Sequence, residues 1–316
     1  MRGLGFEAAP ISGEIEALPM EDGRARTTAG RQLRALRTIR ARASHDFRDL
    51  LQALEDERPD AVLVDVLASG ALDAAARRGG PWACYRPFPL PPSRGAIRYL
   101  GISRPLARAP LHLYMSAPPF EFPHEGRLPN VVMVGPCRWE PAGDLPAGLE
   151  EVEEPLVLVT TSTEFQNDEQ LARVAPAALA DEPVHVVATV PSAAELEVEV
   201  PDNATVVPFA PHLPILRRAA CAITHGGMGA TQKALSLGVP VCAVPFGRDQ
   251  FEVARRVEVA GAGSRLPARR LNPRRLRSKV LEAIARRGGA ERIGRAFAAT
   301  GGAVAAAEAI ERRLLA

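Results

Sequence analysis

The sequence predicts an α/β protein made of parallel, doubly wound sheets, and two observations predict it. First, short and continuously apolar runs alternate with stretches of helical periodicity through the second half of the chain. Strands buried on both faces between crossover helices leave that pattern. Second, residues 221–250 read CAITHGGMGATQKALSLGVPVCAVPFGRDQ. An apolar strand stops at His225, a glycine-rich turn opens a helical pattern, and a second apolar strand ends in Asp249-Gln250. Such a turn aims backbone N–H groups and a helix N-terminus at one point, a site for an anion such as a diphosphate.

Taken in order, residues 31–57 read as a helix. Leu33, Leu36, Ile39, Ala43, Phe47, Leu50 and Leu54 recur at spacings of three and four. The arginines on its other face are expected to be solvated. Residues 61–67 (AVLVDVL) form an apolar strand broken only by Asp65, and residues 68–78 form a helix ended by Gly79-Gly80-Pro81. Strands follow at 82–85, 111–116 and 131–134, with a Pro-, Gly- and Arg-rich loop over 87–110. A proline- and acid-rich stretch, Pro136 to Pro155, is the linker candidate. The expected organisation is a partial first domain over 1–140, a linker over 141–154 and a complete α/β domain over 155–316. In that domain strands are expected at 156–161, 184–190, 205–208, 221–224 and 239–245. Helices are expected at about 167–180, 213–219, 229–237, 250–260, 273–287 and 291–314. The first domain is read as incomplete, because its helix at Arg31 precedes any convincing strand.

Bulk properties narrow the function. A chain of 316 residues suits two domains, 47% hydrophobic content suffices for a core, and a net charge of +2 gives no general case for nucleic acid. Cys84, Cys137, Cys221 and Cys242 are scattered without a CxxC pair, as expected of reduced thiols in a cytosolic protein. No apolar run approaches the roughly 18 residues that span a bilayer, and the start has no signal-peptide pattern. A soluble, cytoplasmic protein is expected. There is no GxGxxG fingerprint and no Walker GK[ST].

The candidate site residues follow from chemistry. His225 could donate to a phosphate oxygen and offset charge on a departing diphosphate; capping the strand is its plain alternative. Gly226, Gly227 and Gly229 suit either a positive-φ turn or close backbone approach to a ligand. Thr231 places a hydroxyl in the first helical turn. Asp249 and Gln250 can accept from and donate to sugar hydroxyls, or Asp249 can cap the helix that follows. The hydroxyl cluster Thr160-Thr161-Ser162-Thr163 stands at a strand C-end, where α/β ligands bind, or forms local turns. Phe209 could stack on a nucleobase or pack in the core, with His212 close by. Asp65 in an apolar strand needs a partner; it is a base or orienter, or a helix cap.

At these residues the chain resembles the GT-B glycosyltransferases of family 1, the macrolide-type, UGT-like bacterial enzymes that glycosylate natural products. The resemblance rests on FAPHLPILRRAACAITHGGMGATQKALSLGVPVCAVPFGRDQ and extends more weakly over most of 60–315. It implies two Rossmann-like domains across a cleft, the first incomplete, with the nucleotide sugar held by the C-terminal one. By that resemblance His225 contacts the diphosphate, and the Gly226-Gly227-Met228-Gly229 turn presents amides to it. Asp249 and Gln250 hold the transferred sugar. Thr161 and Ser162 match the loop after the first strand of the donor domain. Phe209 stands where a base-stacking tryptophan is usual, and His212 where glutamine is usual. Asp65 matches the acid that orients the family's catalytic histidine.

The chain also departs from the pattern. Ala230 replaces a phosphate-loop Ser or Thr, with Thr231 adjacent, and Lys233 replaces a glutamate for the ribose hydroxyls. No histidine sits in the context of the family's catalytic base, whose strand and loop the chain lacks. The implied reaction is inverting transfer from a UDP- or TDP-sugar to a hydroxyl of a small hydrophobic natural product, impaired here by loss of the base. The alternative is a non-catalytic nucleotide-sugar-binding or auxiliary partner protein. No cofactor, metal, membrane or nucleic-acid partner is expected, and a homodimer is left open.

Overall fold

A computed structural model describes residues 5–25, 27–89, 94–122, 130–162, 166–191 and 200–316. The chain forms two parallel sheets. The first is built from β1 (Val62–Asp65), β2 (Trp82–Arg86), β3 (Leu111–Tyr114) and β4 (Val131–Met133), in that spatial order. The second contains β5 (Leu156–Thr160), β6 (His185–Thr189), β7 (Ala204–Val207), β8 (Ala219–Thr224), β9 (Val241–Ala243) and β10 (Gly263–Arg265). Its order is β10-β9-β8-β5-β6-β7. This order reverses between β5 and β8, and ligands of open α/β sheets bind at such a switch point, beyond the strand C-termini.

Burial explains why these runs became strands. All five residues of β5 are buried, because clusters lie on both faces of its sheet. Leu156, Leu158, Ala222 and Leu235 pack on one side; Val157, Val159, Ile223 and Val280 pack on the other. Alternate residues of one strand thus enter opposite cores, so every position up to the terminal Thr160 is apolar.

The helix α2 (Thr28–Glu57) starts at Thr27, whose Oγ1 accepts from the Gly30 N–H at 3.1 Å. It packs on α3 (Ser69–Arg78) with Ile39 and Leu72 in one cluster with Val64 and Trp82. The two helices touch at Gly70, where an added Cβ would lie 1.7 Å from the Ala43 carbonyl oxygen.

The two halves meet at several places. Phe120 stacks edge-on against Phe297, with centroids 5.6 Å apart. Helix α12 (Gly302–Ile310) returns to the first sheet and buries Ala309 beside Leu111, Leu113 and Val134. The Gly302 N–H donates to the Val134 carbonyl at 2.7 Å. Among the described residues no helix is long and apolar enough to cross a membrane.

Several expectations need correction. The loop over 87–110 contains α4 (Arg94–Tyr99) and α5 (Ser103–Arg108); its residues 90–93 lie outside the described residues. The helix expected at 291–314 is α11 (Arg287–Ala299) and α12, separated where Gly301 and Gly302 take φ of +85° and +62°. Strand β10 was not expected at all. Leu33 does not join the buried stripe of α2 but is 44% exposed. The arginines of α2 are not merely solvated either. Arg40 donates to the Tyr99 carbonyl at 2.8 Å, Arg42 to that of Leu18 at 2.9 Å, and Arg31 crosses to the second half.

Candidate functional site

A cavity of about 370 Å³ lies between the two sheets. Tyr85, Phe88, Met115, Cys137 and Trp139 line its N-terminal wall. His225, Gly227, Met228, Gly229, Lys233, Arg248, Asp249 and Gln250 line the other. One wall is mainly apolar and aromatic but includes Arg138; the other carries charge and hydrogen-bonding groups.

The polar wall is built at the C-termini of β8 and β9. After β8, Gly226 turns the chain at φ +85°. Helix α8 (Met228–Ser236) then begins with Gly227 as N-cap and no side-chain cap. Its first intrahelical bond is Thr231 N–H to the Gly227 carbonyl, 3.1 Å. The N–H groups before it have no intrahelical partner, so this end of the helix is an anion site. Gly227 is needed for a different reason from Gly226: its φ is −63°, but a Cβ there would begin 2.3 Å from His225 Nε2. The Nε2 edge of the imidazole is the part nearest the turn.

Gly229 has neither constraint, since an added Cβ meets nothing within 4 Å. Gly229→Ala should therefore fold as well as the parent, or melt slightly higher through the better helix propensity of alanine. Its methyl group enters the cavity beside the N–H groups, so affinity for a nucleoside diphosphate, read by calorimetry, should fall about tenfold or more (~1.4 kcal/mol).

His225 is 9% exposed. Burial lowers its pKa to about 4, with the Thr160 backbone opposing and Arg248 assisting. Beside it is Asp168, 1% exposed, whose Oδ2 accepts from the Ser162 N–H at 2.6 Å and lies 3.4 Å from His225 Nδ1. Burial raises the Asp168 carboxyl to about 6.

Asp249 and Gln250 part company. Gln250 is 1% exposed and its amide is consumed by the protein. Its Oε1 accepts from the N–H groups of Phe246 and Gly247 at 2.8 and 2.9 Å, and its Nε2 donates to Gln166 Oε1 at 2.5 Å. It shapes the loop that carries Asp249. The Asp249 side chain makes no cap bond to helix α9 (Gln250–Val259), which removes the capping alternative. Burial raises its carboxyl to about 6, opposed by its own backbone N–H and by Arg248.

The neighbouring Arg248 has the left-handed φ of +51°. Its guanidinium grips the buried Asp22 with Nε at 3.0 Å and Nη2 at 2.6 Å. From α2, Arg31 Nη1 donates to the carbonyls of Gln166 and Phe246, both at 3.2 Å.

The remaining predicted residues fall outside the cavity lining. Thr161 is buried, with Oγ1 turned to the Thr189 carbonyl at 3.5 Å. Ser162 accepts from Gln166 Nε2 at 2.7 Å. Thr163 lies outside the described residues. His212 Nε2 meets Thr189 Oγ1 at 3.0 Å, and burial lowers its pKa. Phe209 is 67% exposed, so it is not a core residue. Thr231 is fully buried, so its hydroxyl is not offered to a phosphate; Ala230, next to it, is half-buried. Asp65 Oδ1 accepts from the Leu67 N–H at 2.7 Å, closing its own turn. Burial raises its carboxyl, and among the described residues no histidine contacts it.

Sequence reasoning missed Asp168, Arg248 and Glu140. Glu140, between β4 and β5, sits 2.6 Å from Lys233 Nζ and accepts from the Leu213 N–H at 2.7 Å. Burial acts to raise its carboxyl, but these bonds and that from the His212 backbone hold it below the usual range. A carboxylate therefore does stand beside Lys233, supplied from a different part of the chain.

Two parallel sheets of this kind facing each other across a cleft define the GT-B fold. Spinosyn rhamnosyltransferase SpnG superposes with a TM-score of 0.75 at 24% identity over 98% of this chain and 88% of that one. The kitacinnamycin glycotransferase gives 0.74 at 24% over 90% and 83%. Residues 173–310 match the family of the erythromycin biosynthesis protein CIII-like C-terminal domain, so the resemblance to macrolide-type glycosyltransferases stands. Among curated relatives, 4'-demethylrebeccamycin synthase of Lentzea aerocolonigenes is 38% identical over 54% of this chain and 41% of its own length. The uncharacterized UDP-glucosyltransferase YojK of Bacillus subtilis (strain 168) is 33% identical over 57% and 46%. The chain thus aligns with less than half the length of these curated relatives.

Proposed function

We propose that the cleft binds a nucleoside-diphosphate sugar, UDP- or TDP-linked, and that the chain transfers the sugar with inversion to a hydroxyl of a small hydrophobic natural product. One observation carries this reading: His225, the open N-terminus of α8 and the Asp249 carboxylate line a single cavity at the switch point of the second sheet. The helix end and the imidazole receive the diphosphate and stabilise it as it leaves. Asp249 accepts hydrogen bonds from sugar hydroxyls. The wall of Tyr85, Phe88, Met115 and Trp139 suits an apolar acceptor. Phe209, exposed outside the cavity lining, offers a face to the base, and Glu140, beside Lys233, an acceptor for the ribose. The scheme gives no part to a metal, a membrane or nucleic acid, and it places the protein in the cytoplasm.

A second reading, a nucleotide-sugar-binding or auxiliary protein without turnover, has its own support. Asp65 is engaged by its own turn, and His225 is the sole imidazole lining the cavity among the described residues. General-base help is worth roughly 10²–10⁴ in rate. Calorimetry with UDP- and TDP-glucose, followed by turnover with phenolic acceptors, decides between them. Binding with transfer supports the first reading, binding without transfer supports the second, and absence of binding rejects both.

A further inference from the structure

We propose that Asp168 is a positioning residue for His225, and that the two side chains together take up one proton when a diphosphate binds at the glycine turn. The inference rests on the donor-binding reading above. It starts from an anomaly. His225 Nδ1 is buried and makes no well-aligned hydrogen bond; Asp168 Oδ2 lies only 3.4 Å away, and the Thr160 backbone also favours a proton on the ring. A contact of that length is an unfinished hydrogen bond, and both groups are too buried for water to complete it.

Proton counting gives the anomaly a function. A neutral imidazole carries one N–H. Against an ionised Asp168 that proton belongs on Nδ1, facing Oδ2, which leaves a lone pair on Nε2. Nε2 is the atom against Gly227, where the diphosphate would lie, and a lone pair there repels phosphate oxygens. A second proton corrects this. Whether it gives imidazolium facing carboxylate, or an Asp168 hydroxyl donating to Nδ1, Nε2 becomes a donor toward the ligand. The pair titrates as a unit.

The surroundings set the pH. Burial pushes Asp168 up to about 6 and His225 down to about 4, so the empty site at pH 7 holds a single proton on the pair. The backbone N–H groups of Ser162 and Asp168 oppose the second proton on Asp168 and Arg248 opposes it on both groups, whereas Glu169 favours it on Asp168 and the Thr160 backbone favours it on His225. Asp249, across the cavity, is itself pushed up to about 6 by burial. An arriving diphosphate supplies the negative charge that draws the proton in. The sign follows: affinity is greatest below about pH 6 and falls as pH rises above it. The slope is up to tenfold per unit, one proton per site.

The test is calorimetric titration of the whole chain with UDP-glucose and TDP-glucose, whose diphosphates have no group that titrates near neutrality. Buffers of different ionisation enthalpy report the protons taken up, and uridine and thymidine serve as phosphate-free controls. The expected result at pH 7 is uptake of close to one proton with the nucleotide sugars and none with the nucleosides. In Asp168→Asn the Ser162 N–H holds the amide oxygen where Oδ2 was, so Nδ1–H is locked in and no carboxylate supports the second proton. Uptake at pH 7 should then vanish, nucleotide-sugar affinity should fall about tenfold (~1.4 kcal/mol), and nucleoside affinity should not change. Tight nucleotide-sugar binding by the parent with no proton uptake overturns the proposal and leaves the donor site intact. No binding of either nucleotide sugar overturns the donor-site reading itself. The parent measurement stands alone if the variant fails to fold.

Discussion

His225→Ala is expected to weaken nucleotide-sugar binding about 10–100-fold, the range for a hydrogen bond to a charged group. Any measurable sugar transfer should slow by about 10²–10³, as when one donor to a developing negative charge is removed. The larger effect on rate is the informative part. On the proposed reading the imidazole contributes more once the charge is localised on the leaving group than while it is shared with the sugar. Isothermal calorimetry gives the first number and initial rates give the second. The fold should survive, since the turn is held by the Gly226 N–H donating to Thr224 Oγ1 rather than by the ring. Equal binding by parent and variant, with unchanged melting, would remove His225 from the donor site.

Gly70→Ala is expected to have the largest effect on stability. The new Cβ would lie 1.7 Å from the Ala43 carbonyl oxygen and 2.9 Å from the Phe47 nitrogen. Both are backbone atoms within α2, so no side chain can move aside and the helices must separate. Overpacking of this kind costs about 3 kcal/mol at a rigid contact. The separation also breaks into the cluster of Ile39, Leu72 and Trp82. Chemical denaturation followed by circular dichroism should show a clear loss of stability, against a neutral or slightly positive result for Gly229→Ala. A Gly70→Ala protein as stable as the parent would mean that α2 and α3 do not pack as described.

The contrast between those glycines shows what a sequence can and cannot say. The turn at 225–229 was legible because its requirements are local: a strand end, a positive φ and a helix start within five neighbouring residues. Asp249 was legible for the same reason. Asp168 was not, since nothing in its own segment sets it apart from an ordinary acid before a helix. Its importance arises only when β5 and β8 pair and bring Ser162 and His225 to one carboxylate. Glu140 and Lys233 are 93 residues apart, and no periodicity links them. Thr231 misled because a hydroxyl in a first helical turn can face the ligand or the core, and here packing decides for the core. Gly301 and Gly302 were overlooked because they interrupt an alanine-rich run whose apolar period continues on both sides. Strand β10 was overlooked because its three residues, Gly263–Arg265, contain no apolar side chain.

One contact reaches beyond this molecule. Asp249 is held next to Arg248, whose backbone is kept in a left-handed conformation while its side chain is clamped by Asp22, near the start of the chain. On the donor-site reading, the hexose end of the cavity is therefore shaped by both halves of the chain. A chimera that grafts this half onto a homologue's N-terminal half would inherit the glycine turn and its imidazole intact. It would lose the alignment of the acid at the hexose end unless aspartate and arginine were transplanted as a couple. Module swapping in this scaffold has to keep that couple together rather than cut between the two sheets.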